Sequence, residues 1–147
     1  LMQVFNEIKE ETKIRLKSKR LTVDTLIEGE PAGESDQFIL QSEKLLLYSM
    51  LANLFKNAVE ASPRKERITI EMKHGGDHSV GIHNIGAVPK EIRDTFFDKY
   101  ATAGKSGGTG LGTYSARLIA ETIGGQISLD TSEDEGTTIS IIFSKPV

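Results

Sequence analysis

The chain has 147 residues and a formal net charge of −3, and at about 150 residues per domain it is long enough for one domain with a real core. Hydrophobic residues at 37% against 27% charged make it too apolar for a disordered chain, and the absence of cysteine excludes disulfide scaffolds, thiol catalysis and cysteine-ligated zinc. No apolar run approaches the about 18 residues of a spanning helix, the first residues lack a signal-peptide pattern, and a mildly acidic chain without tryptophan does not read as a nucleic-acid binder, so the expected compartment is the cytosol.

Residues 1–20 predict an amphipathic helix, with Leu1, Val4, Phe5, Ile8 and Thr12 at spacings of three and four. It starts without a capping residue, as the cut end of a longer helix would. A strand follows at 21–27, then a turn-rich connection at 28–36 and a short strand at 38–40. The strongest helical pattern covers 43–61, with Ser42 as N-cap and Ser62-Pro63 as its stop. Strands at about 67–73 and 79–84 flank Gly75-Gly76-Asp77 and predict a hairpin. Pro89 opens a short helical turn. A second helix is expected at about 110–123, stopped by Gly124-Gly125, and two strands at 126–131 and 137–143 flank the acidic turn 132–136. Strands that come in pairs argue for an α+β fold, a two-layer sandwich with one mixed sheet and helices on one face, and against a doubly wound parallel sheet.

Three segments carry chemistry. In the 43–61 helix, Asn57 falls inside the apolar arc between Leu46 and Met50, and Asn53 lies one turn earlier at its edge. A buried amide without partners costs about 1–3 kcal/mol, so Asn57 needs a backbone group, a water or an ion. Its oxygen suits Mg²⁺ held mainly by phosphates and waters, and equally a bond to a neighbouring loop. Second, five of the 14 glycines lie within Gly104–Gly112. Their amides, a helix start near Gly110, the Thr109 hydroxyl and the Lys105 charge would together cradle phosphate. A lid at roughly 98–109, rich in glycine and poor in apolar anchors, is expected to move without nucleotide. This segment is not a Walker A loop, because Lys99 stands where that motif needs its first glycine. It is not a nucleophile elbow either, since no apolar strand precedes Gly104-Lys-Ser-Gly-Gly108 and no histidine follows it. Nor is it a dinucleotide fingerprint, its third glycine being one position early. Third, Asn84-Ile-Gly86 ends a strand in a polar residue and a turn; Asn84 can read a purine edge or simply cap the turn. The three histidines, His74, His78 and His83, sit near the hairpin without carboxylate spacing for a metal.

In order and rough spacing these segments resemble the ATP-binding catalytic domain of sensor histidine kinases, in the superfamily shared with gyrase-type ATPases and MutL-like proteins. Asn53-Leu-Phe-Lys-Asn57-Ala resembles the N box, Asn84-Ile-Gly86 the first glycine box, and Thr95-Phe-Phe-Asp-Lys-Tyr100 the F box. Gly108-Thr-Gly110-Leu-Gly112 resembles the second glycine box and Gly136-Thr137 the last turn, so the likeness covers about residues 21–145. It implies ATP and Mg²⁺ as cofactors, with Asn57 the Mg²⁺ ligand, Asn53 its companion, and Asn84 and Gly86 at the base. Gly108, Gly110, Leu111 and Gly112 would meet the phosphates, Lys105 would neutralise the γ-phosphate, and Tyr100 and Thr137 would lie near the nucleotide. The implied activity is protein-histidine kinase: γ-phosphoryl transfer to a histidine on a helical hairpin absent from this chain. The implied organisation is residues 1–20 as the tail of that hairpin and 21–147 as the ATP-binding domain. A response regulator would act downstream, in a homodimeric parent that a membrane could anchor, with this piece monomeric and no nucleic-acid partner.

Three departures from the pattern bear on this, besides the largest, the absence of any histidine from the 1–20 helix. Asn84 replaces the usual aspartate, Ala87-Val88 stand where a second glycine is expected, and Glu60 stands where many members carry a basic residue. Asn53 occupies the position of the hydrolytic branch's glutamate base, which favours transfer over hydrolysis. No proton-transfer residue is identifiable. The competing readings are a degenerate, non-catalytic module that binds a protein, and a gyrase-type ATPase.

Overall fold

A computed structural model describes residues 1–33, 36–38, 42–99 and 111–143. Its elements are α1 (Met2–Glu11), α2 (Lys13–Lys19), β1 (Thr22–Ile27), β2 (Glu30–Pro31), α3 (Lys44–Ala61), β3 (Arg67–Lys73), β4 (His78–Asn84), a 3-10 turn at Lys90–Ile92, α4 (Gly112–Thr122), β5 (Gly125–Ser132) and β6 (Gly136–Phe143). The strands form one mixed sheet in the order β2-β1-β3-β4-β6-β5. Among the described strands only β1 and β3 run parallel, from Thr22↔Arg67 to Ile27↔Met72, and α3 lies in the connection between them. This is the α+β sandwich that the strand pairs predict.

Alternation decides which face of the sheet is covered. Ile68, Ile70 and Met72 of β3, Val80 and Ile82 of β4, and Ile139, Ile141 and Phe143 of β6 are buried, while the residues between them are polar or partly exposed. The helices pack on that inner face. α3 contributes Leu47, Met50, Leu51, Leu54, Phe55 and Val59, and α4 contributes Ala116 and Ala120, small residues that allow close approach to α3. β3 and β4 form the expected hairpin, in the register Ile68↔Asn84 to Lys73↔Ser79.

Four expectations change. The helix over 1–20 is two helices broken at Thr12, whose hydroxyl donates to the Ile8 carbonyl at 2.8 Å and whose backbone leaves helical geometry (φ −102°, ψ 5°). Side-chain bonding back onto the preceding turn bends helices in this way. The N-cap of α3 is Glu43, not Ser42, because the first helical bond runs from Leu47 N–H to the Glu43 carbonyl at 2.9 Å. The turn-rich connection contains a strand: Glu28 (φ 52°) and Gly29 (φ 79°) both adopt positive φ, which makes a two-residue hairpin from Ile27 to Glu30. Phe38, expected in a strand, lies outside regular structure, buried and stacked on His74 with ring centroids 4.1 Å apart; Ile39 and Leu40 fall outside the described residues.

Helix stops follow local chemistry. Ser62 leaves α3 in an extended conformation (ψ 132°), as the residue before Pro63 must, and its hydroxyl donates to the Ala58 carbonyl at 2.6 Å. Among the described residues no helix is long and apolar enough to cross a membrane.

Candidate functional site

Asn53 and Asn57 lie on α3, and both are half-buried rather than enclosed. At about 100° per residue the buried residues of α3 span roughly 200°, from Met50 round to Ala52. The two asparagines follow just outside the Met50 edge. Phe55, Val59 and Ala52 are covered as well, which moves the centre of the buried arc away from Asn57. The predicted enclosure is thus corrected to a place on the rim, where an amide oxygen can serve a solvent-accessible ligand.

The end of β4 is brought to the end of α3. Asn84 is 2% exposed, and its Nδ2 donates to the Ile85 carbonyl at 2.9 Å, which leaves Oδ1 as the amide atom able to accept. Gly86 has φ +110°, and a Cβ there would sit 3.3 Å from the Ala61 carbonyl oxygen. Ala61 lies one helical turn beyond Asn57. The strand end therefore crosses close over the last turn of the helix that carries the asparagines.

The β5–β6 turn closes on the same place. Gly136 has φ +82°, and a Cβ there would run into the Asn84 carbonyl oxygen and lie 3.1 Å from His83 Nε2. Thr137, 3% exposed, pairs with Asn84 across the β4–β6 ladder and donates to the Gly86 carbonyl at 2.7 Å. Three of the predicted residues, Asn84, Gly86 and Thr137, thus meet in one cluster. Two residues that the sequence reading missed join them. Thr131 accepts from Val88 N–H at 2.9 Å, and Arg93 Nε donates to the Val88 carbonyl at 2.9 Å. Nothing in the local pattern marks either one: Thr131 reads as an ordinary strand threonine and Arg93 as a surface arginine.

The helix start predicted near Gly110 falls at Gly112, with Leu111 as the capping residue and the first bond from Ser115 N–H to the Leu111 carbonyl at 2.8 Å. Thr113 donates to the Phe96 carbonyl at 3.0 Å and so ties the first turn of α4 to the predicted F box. Tyr100, Lys105, Gly108 and Gly110 lie outside the described residues, as does most of the expected lid.

Two arginines on these elements each meet a carboxylate. Arg93 Nη2 meets Glu133 Oε1 at 2.9 Å, and the Glu133 carboxyl is held below its ordinary value, first by its own backbone N–H and then by Arg93. Arg117 meets Asp98 at 3.3 Å and stacks over the Tyr114 ring at 5.5 Å. Of the three histidines, only His74 and His78 meet, with Nδ1 atoms 3.3 Å apart; His83 instead donates to the Glu135 carbonyl at 2.6 Å. No group of three or more His, Asp or Glu suited to a metal occurs among the described residues. That donor set does not suit a cation caged by protein; it is compatible with Mg²⁺ carried by phosphates and waters and touched by one amide oxygen.

Residues 42–147 match the family of histidine kinase-, DNA gyrase B- and HSP90-like ATPases, and the chain belongs to that family. Membership implies ATP binding. Its relatives are sensor histidine kinases. It is 32% identical over 106 residues to the sensor histidine kinase ZraS of Salmonella typhi, a match covering 69% of this chain and 22% of that protein. Over 85 residues it is 36% identical to the signal transduction histidine-protein kinase ArlS of Staphylococcus haemolyticus, covering 54% of this chain and 17% of that one. The chain therefore spans about a fifth of the length of these relatives. Its fold is that of the nucleotide-free catalytic domain of histidine kinase ThkA, at a TM-score of 0.81 and 23% identity over 99% of this chain and 92% of that one. The full-length histidine kinase ShkA in complex with AMPPNP gives a TM-score of 0.75 at 15% identity, over 99% of this chain and 30% of ShkA.

Proposed function

We propose that this chain is the ATP-binding domain of a sensor histidine kinase, which binds Mg·ATP and presents its γ-phosphoryl group to a histidine carried on another domain. The observation that carries the reading is the meeting of Asn84, Gly86 and Thr137 against the last turn of α3, one turn from Asn57. Asn84 Oδ1 would accept from the adenine amino group. Asn57 Oδ1 would ligate Mg²⁺, with Asn53 beside it on the same rim. When bound, Mg²⁺ would neutralise phosphate charge. The amides of Gly108, Gly110, Leu111 and Gly112 would meet the phosphates, Lys105 would neutralise the γ-phosphate, and Tyr100 would serve the nucleotide. The chain's part in the reaction is positioning and charge neutralisation, as phosphoryl transfer requires. Residues 1–20 would continue the second helix of the phosphoacceptor hairpin, in a dimeric parent served by a response regulator.

Titration with a fluorescent ATP analogue, with and without Mg²⁺, tests this. Asn57→Ala should remove most of the Mg²⁺-dependent gain in affinity; equal affinity in Mg²⁺ would sink the metal role. Asn84→Asp should change the preference for ATP over GTP, and an unchanged preference would remove the base-reading role. Transfer is tested by incubating the parent protein with γ-labelled ATP, where acid-labile, base-stable label on the hairpin histidine is expected. A second reading, a non-catalytic protein-binding module, draws on the shortened first glycine box. Absence of ATP binding at millimolar concentration by calorimetry would favour it.

A further inference from the structure

Val88 stands where the family pattern has a second glycine, and the turn it closes is short. Buried at 7% exposure, Val88 has a backbone N–H and C=O that both need partners. Neither uses a backbone group of the turn. The N–H donates to Thr131 Oγ1 at 2.9 Å, from a strand 43 residues away, and the C=O accepts from Arg93 Nε at 2.9 Å. Arg93 is itself held by Glu133 at 2.9 Å. The two threonine hydroxyls lie 2.9 Å apart, and Thr137 donates to the Gly86 carbonyl at 2.7 Å. Each hydroxyl has one hydrogen, which fixes the order of the chain. Thr137 spends its hydrogen on Gly86, so Thr131 must donate to Thr137 while accepting from Val88. The result is a directed series, Val88 N–H to Thr131 to Thr137 to the Gly86 carbonyl, that grips the turn at both ends.

We propose that Thr131 and Arg93 are positioning residues for base recognition, clamping the Gly86–Val88 turn so that the adjacent Asn84 carboxamide is held in one orientation. The clamp does by side chains what a glycine-shaped turn would do by backbone geometry. This rests on the reading of Asn84 as the base reader, and neither Thr131 nor Arg93 needs to touch the nucleotide.

The test uses this chain with Thr131→Val, which keeps the shape and removes the hydroxyl, and Thr131→Ser, which restores it. Two quantities are read: amide hydrogen exchange at Val88, and the ATP-over-GTP preference in displacing a fluorescent ATP analogue. With Thr131→Val, exchange at Val88 should quicken by about tenfold or more, the loss expected of a buried donor left unpaired. The nucleotide preference should fall severalfold, and Thr131→Ser should keep both near the parent chain's values. Unchanged exchange in Thr131→Val overturns the clamp. Faster exchange with unchanged affinity and preference overturns the positioning role alone. A parent chain that binds neither nucleotide overturns the function proposed above and the positioning role with it, while the exchange data still judge the clamp. If Thr131→Val fails to fold, Arg93→Ala releases the Val88 carbonyl from a partly exposed position, and the ATP-over-GTP preference decides: a severalfold fall supports the proposal, and no change overturns it.

Discussion

Among the described glycines, Gly136 leaves the least room for a side chain. Its φ of +82° is strained for any side chain, and a Cβ there meets the Asn84 carbonyl. Gly136→Ala should cost about 1–3 kcal/mol in urea unfolding, and should loosen the Asn84–Thr137 pairing that it sits beside. A loss below a few tenths of a kcal/mol would mean that the turn relaxes freely. Glu133 shows how an exposed group reports the same region. Its carboxyl is depressed from 4.5 by its own backbone N–H and by Arg93. A depressed carboxylate stabilises the fold above its unfolded value, and that contribution is lost as pH falls through the folded one. The Arg93–Glu133 link should therefore persist at neutral pH and fail only below pH 4.5. An NMR titration of the Glu133 carboxyl carbon should give a midpoint below 4.5, and Arg93→Ala should move it only part of the way back, since the backbone bond remains.

At the scale of the element, α3 does two jobs on two sides. Its covered arc anchors the sheet, and its rim carries Asn53 and Asn57. Leu51→Ala, at a fully buried position, should cost about 2–5 kcal/mol by thermal or chemical unfolding. Asn57→Ala, on the rim, should change stability far less while changing Mg²⁺-dependent nucleotide affinity. Comparable destabilisation by both would mean that Asn57 is a packing residue, and the division of the helix into anchor and rim would fail. The break at Thr12 has a similar consequence: α1 buries Val4, Phe5 and Ile8, whereas α2 buries nothing. The first of the two helices carries the fully buried anchors, whereas the second meets the core through the partly buried Leu16.

For the whole molecule, α1 is part of the domain's interior. Val4, Phe5 and Ile8 join the core cluster with Leu47, Met50 and Leu51. Each fully buried side chain of this kind is worth about 1.5–3 kcal/mol. A chain starting at residue 21 should melt at a markedly lower temperature and bind more of a hydrophobic dye than the full chain. An equal melting temperature would show that the sheet, α3 and α4 form a sufficient core without α1. The outcome also bears on how residues 1–20 could continue an upstream hairpin, because a helix held in this core would move with the nucleotide site.

The sequence alone was enough for most of the architecture, because its signals are local. Period-two alternation in 67–73 and 137–143 marks strands with one covered face, and paired strands separated by turn residues limit the fold to a mixed sheet with helices. Asn53, Asn57, Asn84, Gly86 and Gly136-Thr137 stand out as candidates because they lie in the order of the boxes that the chain resembles. What is not local was not legible. The edge strand at Glu30–Pro31 depends on two positive-φ residues, Glu28 and Gly29, only one of them a glycine. The true edge of the apolar arc on α3 depends on what covers Phe55 and Ala52. Thr131 and Arg93 acquire their roles only when the β5–β6 hairpin folds back over Val88, a contact across 43 residues that no spacing in the chain encodes. Hydrophobic period is written residue by residue, whereas the partner of a buried backbone group is chosen by the packed structure.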